Sequence, residues 1–564
     1  MQKGLFRRSQ IGAYGAVGAA TFIGAALALA GAASADSSPA PQSNATLTIG
    51  ANTSGTLPKN FNPFLTATVY PNQMGATYLM YEPLLQFNLA QPPKYTPWLA
   101  TAATWSNSGK TLTFAIRQGV TFSNGTPLTP DDVAFTYGLL QKYPSVNASG
   151  LAIDSITVDG DKVVLNFPSA QYAALMSIAS VPIVSKAVWS AVGDPSKYVD
   201  ANPIGTGPFT LGNFSSQGFA LVRNPHYWQP GAPTIAKVYY PAYTSNTGSL
   251  NDLVSGNVDW NANFIPSVQT VFVGRDPAHN HVWGVPLGTQ GFVPNMSVWP
   301  TNQLSVRKAI SLAVDRTKIN DQAESGVSAP MANASGLPTP TFDAWKSDAA
   351  GIGQLNVTAQ TDAAKKVLEA DGYTMGSDGF YQKDGKQLAL EIINPASFTD
   401  YAQADQIAVE NLKAAGINAS FRGVSVPAWT SALASGNFQL TLNYPVFGNT
   451  PYDMYNAWFN SALLGDGSNA TGDYARVKDP KVDAALAQFA ASDQTSEQIK
   501  ALEPVYNLVS QQYAQIPLMT RVTFFNYSTK RFNGWPGDDN PYQAPELNGF
   551  PGAVQIILNL KPVN

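Results

Sequence analysis

Apolar and polar residues alternate from Thr111 to Arg117, with Leu112, Phe114 and Ile116 on one face, which predicts a half-buried strand. The turn residues Ser123-Asn124-Gly125-Thr126-Pro127 close that segment, and Thr129-Pro130-Asp131-Asp132 opens a helix that runs on through 133–140. Thr129 is placed to cap it, Pro130 suits the first turn, and both acids sit at the positive end of the dipole. Further along, the apolar period lengthens to three and four residues. Val306, Ala309/Ile310 and Ala313/Val314 form one stripe, with Arg307 and Lys308 pointing out. Ala364, Val367 and Leu368 form a second that stops at Asp371-Gly372, and 407–412 with Ala415 a third, closed by Gly416. Strand-like segments such as 388–393 and 438–442 follow these helices. Alternation of this kind predicts α/β lobes with mixed sheets. The stripes are core-packing features and say nothing of function.

With 564 residues the chain exceeds one compact core, so two or more lobes are expected. Only 12% of residues are charged, about half the usual share, so Asn, Gln, Ser and Thr must build much of the surface. A net charge of −4 without a basic cluster gives no electrostatic footprint for nucleic acid. The absence of cysteine excludes thiol nucleophiles, iron–sulfur clusters, thiolate zinc sites, disulfides and a lipid-anchoring cysteine. Three histidines leave little basis for imidazole chemistry. His279-Asn280-His281 is a weak metal pattern with no third ligand nearby, and His226 reads as packing, so no metal or cofactor is expected.

At the N-terminus, Lys3, Arg7 and Arg8 precede an apolar run over 11–30 and then Ala33-Ser34-Ala35. This layout reads as a secretory signal peptide over 1–35, with an uncleaved anchor as the alternative. Arg7-Arg8 leaves Sec and twin-arginine export both open. A flexible leader is expected over 36–45.

A set of collinear motifs then narrows the choice. Leu99-Ala100, Trp105, Gly109-Lys110, Ile116-Arg117, Asn124-Gly125-Thr126-Pro127 and Asp131-Asp132-Val133 form the first. Pro203-Ile204-Gly205-Thr206-Gly207-Pro208-Phe209 leads to Asn224-Pro225-His226-Tyr227-Trp228, and Val306-Arg307-Lys308-Ala309-Ile310 to Ala313-Val314-Asp315-Arg316. Asn62-Pro63-Phe64 and Tyr81-Glu82-Pro83-Leu84-Leu85 also fit. This pattern resembles the family 5 solute-binding proteins, the dipeptide/oligopeptide-binding group. The resemblance implies a bilobed, periplasmic-binding-protein-like α/β fold. Lobe 1 would take 46–288, with an extra subdomain at about 81–203, lobe 2 would take 289–522, and 523–564 would return to lobe 1. The crossings would fall near 286–292 and 518–525, with solute held between the lobes. Gly205 and Gly207 would serve backbone turns.

The resemblance also frames the ligand. Peptide-binding relatives place a carboxylate for the α-amino group after a lobe 2 strand, and the family's common Asp-Pro stands here as Thr450-Pro451. Unless Asp453 takes that role, the ammonium has no partner, and a buried unpaired charge is costly. The segment 441–453 is rich in Tyr, Phe and amides, which suits a neutral oligosaccharide. Peptide and oligosaccharide both remain open. The expected ligand-binding residues are Asn62, Phe64, Gln290, Phe292, Asn295, Trp429, Asn443, Tyr444, Phe447, Tyr452 and Asp453.

No Gly-x-Ser-x-Gly elbow, phosphate loop or zincin helix occurs, so an enzyme is not expected. The implied partners are a small-molecule ligand and the permease subunits of an ABC importer, with a signalling partner as the alternative. The protein is expected to be an exported monomer, periplasmic or outside the cell.

Overall fold

The computed structural model describes residues 42–563, apart from 52–55, 66–69, 148, 348–351, 445–447 and 548–550. The expected signal peptide and most of the leader lie outside the described residues, as does Phe447. Among the described residues no helix is long and apolar enough to cross a membrane.

Two long strands organise the chain. Asn280–Pro294 and Ile516–Ser528 pair antiparallel from Asn280↔Ser528 to Phe292↔Ile516, with irregularities between Pro286 and Gly288 and between Gln290 and Gly291. They are the central strands of a ten-stranded sheet among the described residues. Leu440–Asn443, Ala389–Pro395 and Asn418–Val424 extend it on one side. Trp260–Asn261, Thr46–Gly50, Lys237–Pro241, Gly218–Arg223 and Phe209–Ser215 extend it on the other.

Because these strands are long, their two ends serve different cores. Val285, Leu287, Phe525 and Tyr527 bury with Leu47, Phe114 and Trp189. Phe292, Ile516, Leu518 and Met519 bury with Val306, Leu368 and Leu412. The fold is thus bilobed and α/β, with the strand pair as the hinge. In the first lobe, Ala100–Ser106, Thr111–Ile116, Lys162–Asn166 and Ser155–Asp159 form a separate four-stranded sheet in that order. In the second, a further cluster of Trp345, Tyr455, Phe489 and Tyr506 also takes in Ala173 of the first lobe. The lobes touch again where Asn449 Nδ2 donates to the Pro93 carbonyl at 3.3 Å.

Local chemistry accounts for the elements. Helix Pro130–Lys142 starts at a capping box, where Asp132 accepts from the Thr129 amide at 2.9 Å and its hydroxyl at 2.8 Å. Helices Thr361–Ala370 and Thr399–Ala414 are followed by Gly372 and Gly416 at φ +85° and +79°, a conformation glycine adopts without steric cost. Gly205 and Gly207 act differently from the expected turns. A Cβ on them would stand 2.0 Å from the Met80 carbonyl oxygen and 2.3 Å from that of Leu79, so they let two backbones pack face to face.

The motifs of the first lobe converge on Glu82, which is fully buried. Its carboxylate accepts from Trp98 Nε1 at 2.8 Å, the Tyr227 hydroxyl at 2.9 Å and Trp228 Nε1 at 3.0 Å. Arg117 lies 4.8 Å over the Trp228 ring and donates to the Trp98 carbonyl. His226 beside them is exposed.

Candidate functional site

In the second lobe, three elements and a loop enclose a cavity of about 250 Å³. Helix Val426–Ser435 supplies Trp429, Thr430 and Leu433. Asn443 ends the strand Leu440–Asn443, and Tyr444 follows it. The last turn of helix Pro451–Phe459 brings Trp458 and Phe459, the loop 471–475 brings Thr471 and Tyr474, and Gln515 stands at the entry to the second hinge strand.

Each wall has a local cause. Ser425 caps the first helix by accepting from the Ala428 amide, and Gly436 ends it at φ +76°. Arg476 lies across that end, donating to the carbonyls of Ala434 at 3.0 Å, Leu433 at 3.3 Å and Gly467 at 2.9 Å. A cation at the negative end of the dipole is favourable, and here it also clamps the 467–476 loop to the helix. Thr450 caps the second helix by accepting from the Tyr452 amide, with Pro451 in its first turn.

The Trp429 ring is held by a buried relay. Its Nε1 donates to Thr441 Oγ1 at 2.9 Å, that hydroxyl bonds Asn394 Oδ1 at 2.9 Å, and Asn394 Nδ2 donates to Asp405 at 2.6 Å. Burial pushes the Asp405 carboxyl up to about 8, against the Asn394 bond, so it is neutral at pH 7.

No side chain on the cavity wall carries a formal charge. Trp458 Nε1 and both polar atoms of the Gln515 amide are buried without partners among the described residues. An unmade buried hydrogen bond costs about 1–3 kcal/mol, so these atoms are open valences for a guest.

At the rim, Tyr444 turns its ring to Arg521, whose guanidinium lies 4.6 Å from the ring centroid. Arg521 sits opposite Gly288 in the hinge pair. Glu324, just past helix Arg316–Ala323, is buried behind it. Burial raises its carboxyl to about 7, opposed by Arg521.

The structure brings Trp429, Asn443 and Tyr444 to this cavity and places the other expected site residues that it describes elsewhere. Asn62 is buried, and its amide donates to the carbonyls of Pro195 at 2.7 Å and Tyr198 at 2.9 Å. Asn295 does the same for Gly436 at 2.8 Å and Phe438 at 3.1 Å. Amides committed to backbone carbonyls have few valences left for a solute. Phe64 packs edge-on against Trp189, and Phe292 is in the core of the second lobe. Gln290 is buried beside Glu324, and Tyr452 stacks on Phe489 at 5.6 Å. Asp453 folds back onto Gly448, where a Cβ would stand 1.8 Å from its Oδ2, and burial pushes its carboxyl up to about 7. It does not line the cavity.

Sequence reasoning missed Trp458, Phe459, Tyr474, Gln515 and Arg521. Arg521 did leave a signal: it is a lone charge in the strand Ile516–Ser528, whose neighbours are almost all apolar or hydroxyl-bearing. The two neighbouring histidines stay apart, His279 against Asp276 at 3.0 Å and His281 against the Tyr527 ring. Among the described residues no group of three metal-ligating side chains forms.

The family model for bacterial extracellular solute-binding proteins, family 5 Middle, matches residues 94–464. The nickel-binding periplasmic protein of Escherichia coli K12 is 25% identical over 462 residues, covering 78% of this chain and 84% of its own. The periplasmic oligopeptide-binding protein OppA of Salmonella typhimurium is 24% identical, covering 73% and 80%. Among solved structures, the mannohexaose-bound periplasmic oligopeptide-binding protein of an oligopeptide ABC transporter from Thermotoga maritima superposes with a TM-score of 0.78. It is 23% identical and covers 92% of this chain and 99% of its own.

Proposed function

The chain belongs to the bacterial extracellular solute-binding proteins of family 5, and on that premise we propose that the solute it captures is a neutral oligosaccharide. It is a substrate-binding receptor of an ABC transporter, and members of its family bind solutes and hand them on. The ligand class rests on one observation. The cavity wall is aromatic and uncharged, with open hydrogen-bond valences at Trp458 and Gln515. Sugar rings offer apolar faces to aromatic rings and hydroxyls that both donate and accept, so a saccharide satisfies such a wall. A peptide's ammonium would enter it without a counter-charge, which is costly. The mannohexaose held by the Thermotoga maritima protein is in keeping with this choice.

The surrounding arrangement follows from the same reading. Lobe 1 takes 46–288 and 523–564, lobe 2 takes 289–522, and solute binding shifts the balance towards the closed form. An N-terminal signal directs export, and the closed receptor docks on the permease subunits of its importer.

Calorimetric titration of the ligand-stripped protein with an oligosaccharide panel and a peptide panel tests the ligand class. Saturable one-to-one binding of a saccharide, with peptides silent, is expected. Tight peptide binding with silent saccharides overturns the reading.

A further inference from the structure

Arg521 stands against Tyr444, a residue of the cavity wall. Its Nε is buried and has no acceptor among the described residues, although buried guanidinium donors are ordinarily paired. The guanidinium face rests on the Tyr444 ring at 4.6 Å, and Tyr444 itself lines the cavity. The site of Arg521 is fixed by the pairing of Arg521 with Gly288 at the hinge. A group bound there would touch the segment that bends when the lobes close.

Behind the guanidinium, Glu324 is 1% exposed and its Oε1 also lacks a partner. Arg521 and Glu324 act on one another electrostatically, with Asp400 and Tyr401 close enough to join them. The cluster therefore holds a guanidinium Nε without an acceptor among the described residues, in front of a carboxyl that burial raises to about 7. A guanidinium donor serves a neutral oxygen as well as an anion.

We propose that Arg521 is a second polar subsite for the same solute, donating to hydroxyl or ether oxygens of the sugar unit next to the one in the aromatic cavity. This rests on the oligosaccharide reading above.

The test titrates manno- and cello-oligosaccharides into wild type, Arg521→Gln and Arg521→Lys. Far-ultraviolet circular dichroism and melting temperature are followed alongside. Arg521→Gln should weaken the neutral sugar by roughly 10- to 100-fold, the range for a hydrogen bond to a charged donor, at a melting temperature near wild type. Arg521→Lys keeps the charge without the planar fork and should fall between the two. Unchanged neutral-sugar affinity in the folded Arg521 variants removes Arg521 from the site and leaves the cavity reading intact. If wild type takes no saccharide at all, the function reading falls, and this inference falls with it.

Discussion

Glu82 in the first lobe and Glu324 at the hinge are both buried carboxyls raised to about 7, yet they are built to opposite ends. Glu82 receives three ring donors, from Trp98, Tyr227 and Trp228. These come from motifs more than a hundred residues apart, and the carboxylate ties them together. Glu324 keeps an unpartnered Oε1 and faces an arginine whose Nε is unpartnered too. A satisfied buried network specifies structure, whereas an unsatisfied one holds free energy that only another molecule can release. The same residue type at a similar burial thus marks a structural lock in one lobe and stands behind the proposed subsite at the hinge.

The largest effect that sharpens this comparison is at the lock. Glu82→Ala strands three buried donors, each costing about 1–3 kcal/mol, so a loss of about 3–5 kcal/mol is expected from urea unfolding. A loss below about 1 kcal/mol would make Glu82 no more structural than Glu324 and break the contrast.

Next in size is the response to pH. Glu82, Glu324 and Asp453 rise to about 7 and Asp405 to about 8, chiefly through burial. Each native carboxyl holds its proton at a pH where the unfolded chain has released it. Stability from these groups is full below about pH 4, and it declines as pH climbs through 7 and 8. Arg521 opposes the rise at Glu324, and Asp400 adds to it at Glu324 and Asp405. Exposed carboxylates with lowered values, such as Asp276 at about 2 beside Lys530 and His279, act only at lower pH. The melting temperature at pH 5.5 should exceed that at pH 8.5 by several degrees, and the reverse order would contradict these burials.

A smaller effect concerns binding alone. Trp429→Ala removes the broadest cavity wall and should weaken saccharide binding by roughly 30-fold, the scale of a tryptophan anchor at an interface. Calorimetry with wild-type-like affinity would move the site away from the cavity.

The sequence and the structure agree best where one element decides the matter. The alternation over 111–117 and the stripes around Val306, Ala364 and Ile407 are local signals, and the strand Thr111–Ile116 and helices Leu304–Ala313, Thr361–Ala370 and Thr399–Ala414 lie on them. Arg307, expected to point out, is instead buried and donates to the carbonyls of Gln512 and Thr301. Gly205 and Gly207 show where such reading stops. Their motif is visible, but its cause, the backbone of Leu79 and Met80, lies more than a hundred residues away. The cavity is harder still. Six separated segments build it, and Trp458 and Phe459 look like core aromatics until the 471–475 loop is clamped beside them by Arg476. Asn62 and Asn295 carry the same residue type as Asn443. Only the structure shows that their amides are spent on backbone carbonyls.

The smallest predicted effect separates the cavity wall from its support. Asp405 stands three hydrogen bonds behind the Trp429 ring, through Asn394 and Thr441. At pH 7 its carboxyl is neutral, because burial raises it to about 8. Asp405→Asn therefore exchanges one neutral group for another of nearly the same shape, with an oxygen still able to accept from Asn394. Near pH 4, where the unfolded wild type is only beginning to release its proton, stability should change by less than about 0.5 kcal/mol, the usual range for a substitution that breaks no interaction. Saccharide affinity should stay within about twofold, since the Thr441 hydroxyl and Trp429 keep their places. Between about pH 4 and pH 8 the two proteins should part. Over that range native wild type holds a proton that its unfolded chain releases, so it loses stability that the amide variant keeps, and above pH 8 the gap is constant. Urea unfolding at pH 4 and pH 9 measures both limits. A large loss at pH 4 would mean that Asp405 is charged in the native state, and Trp429 would then be held by an ion instead of a neutral relay.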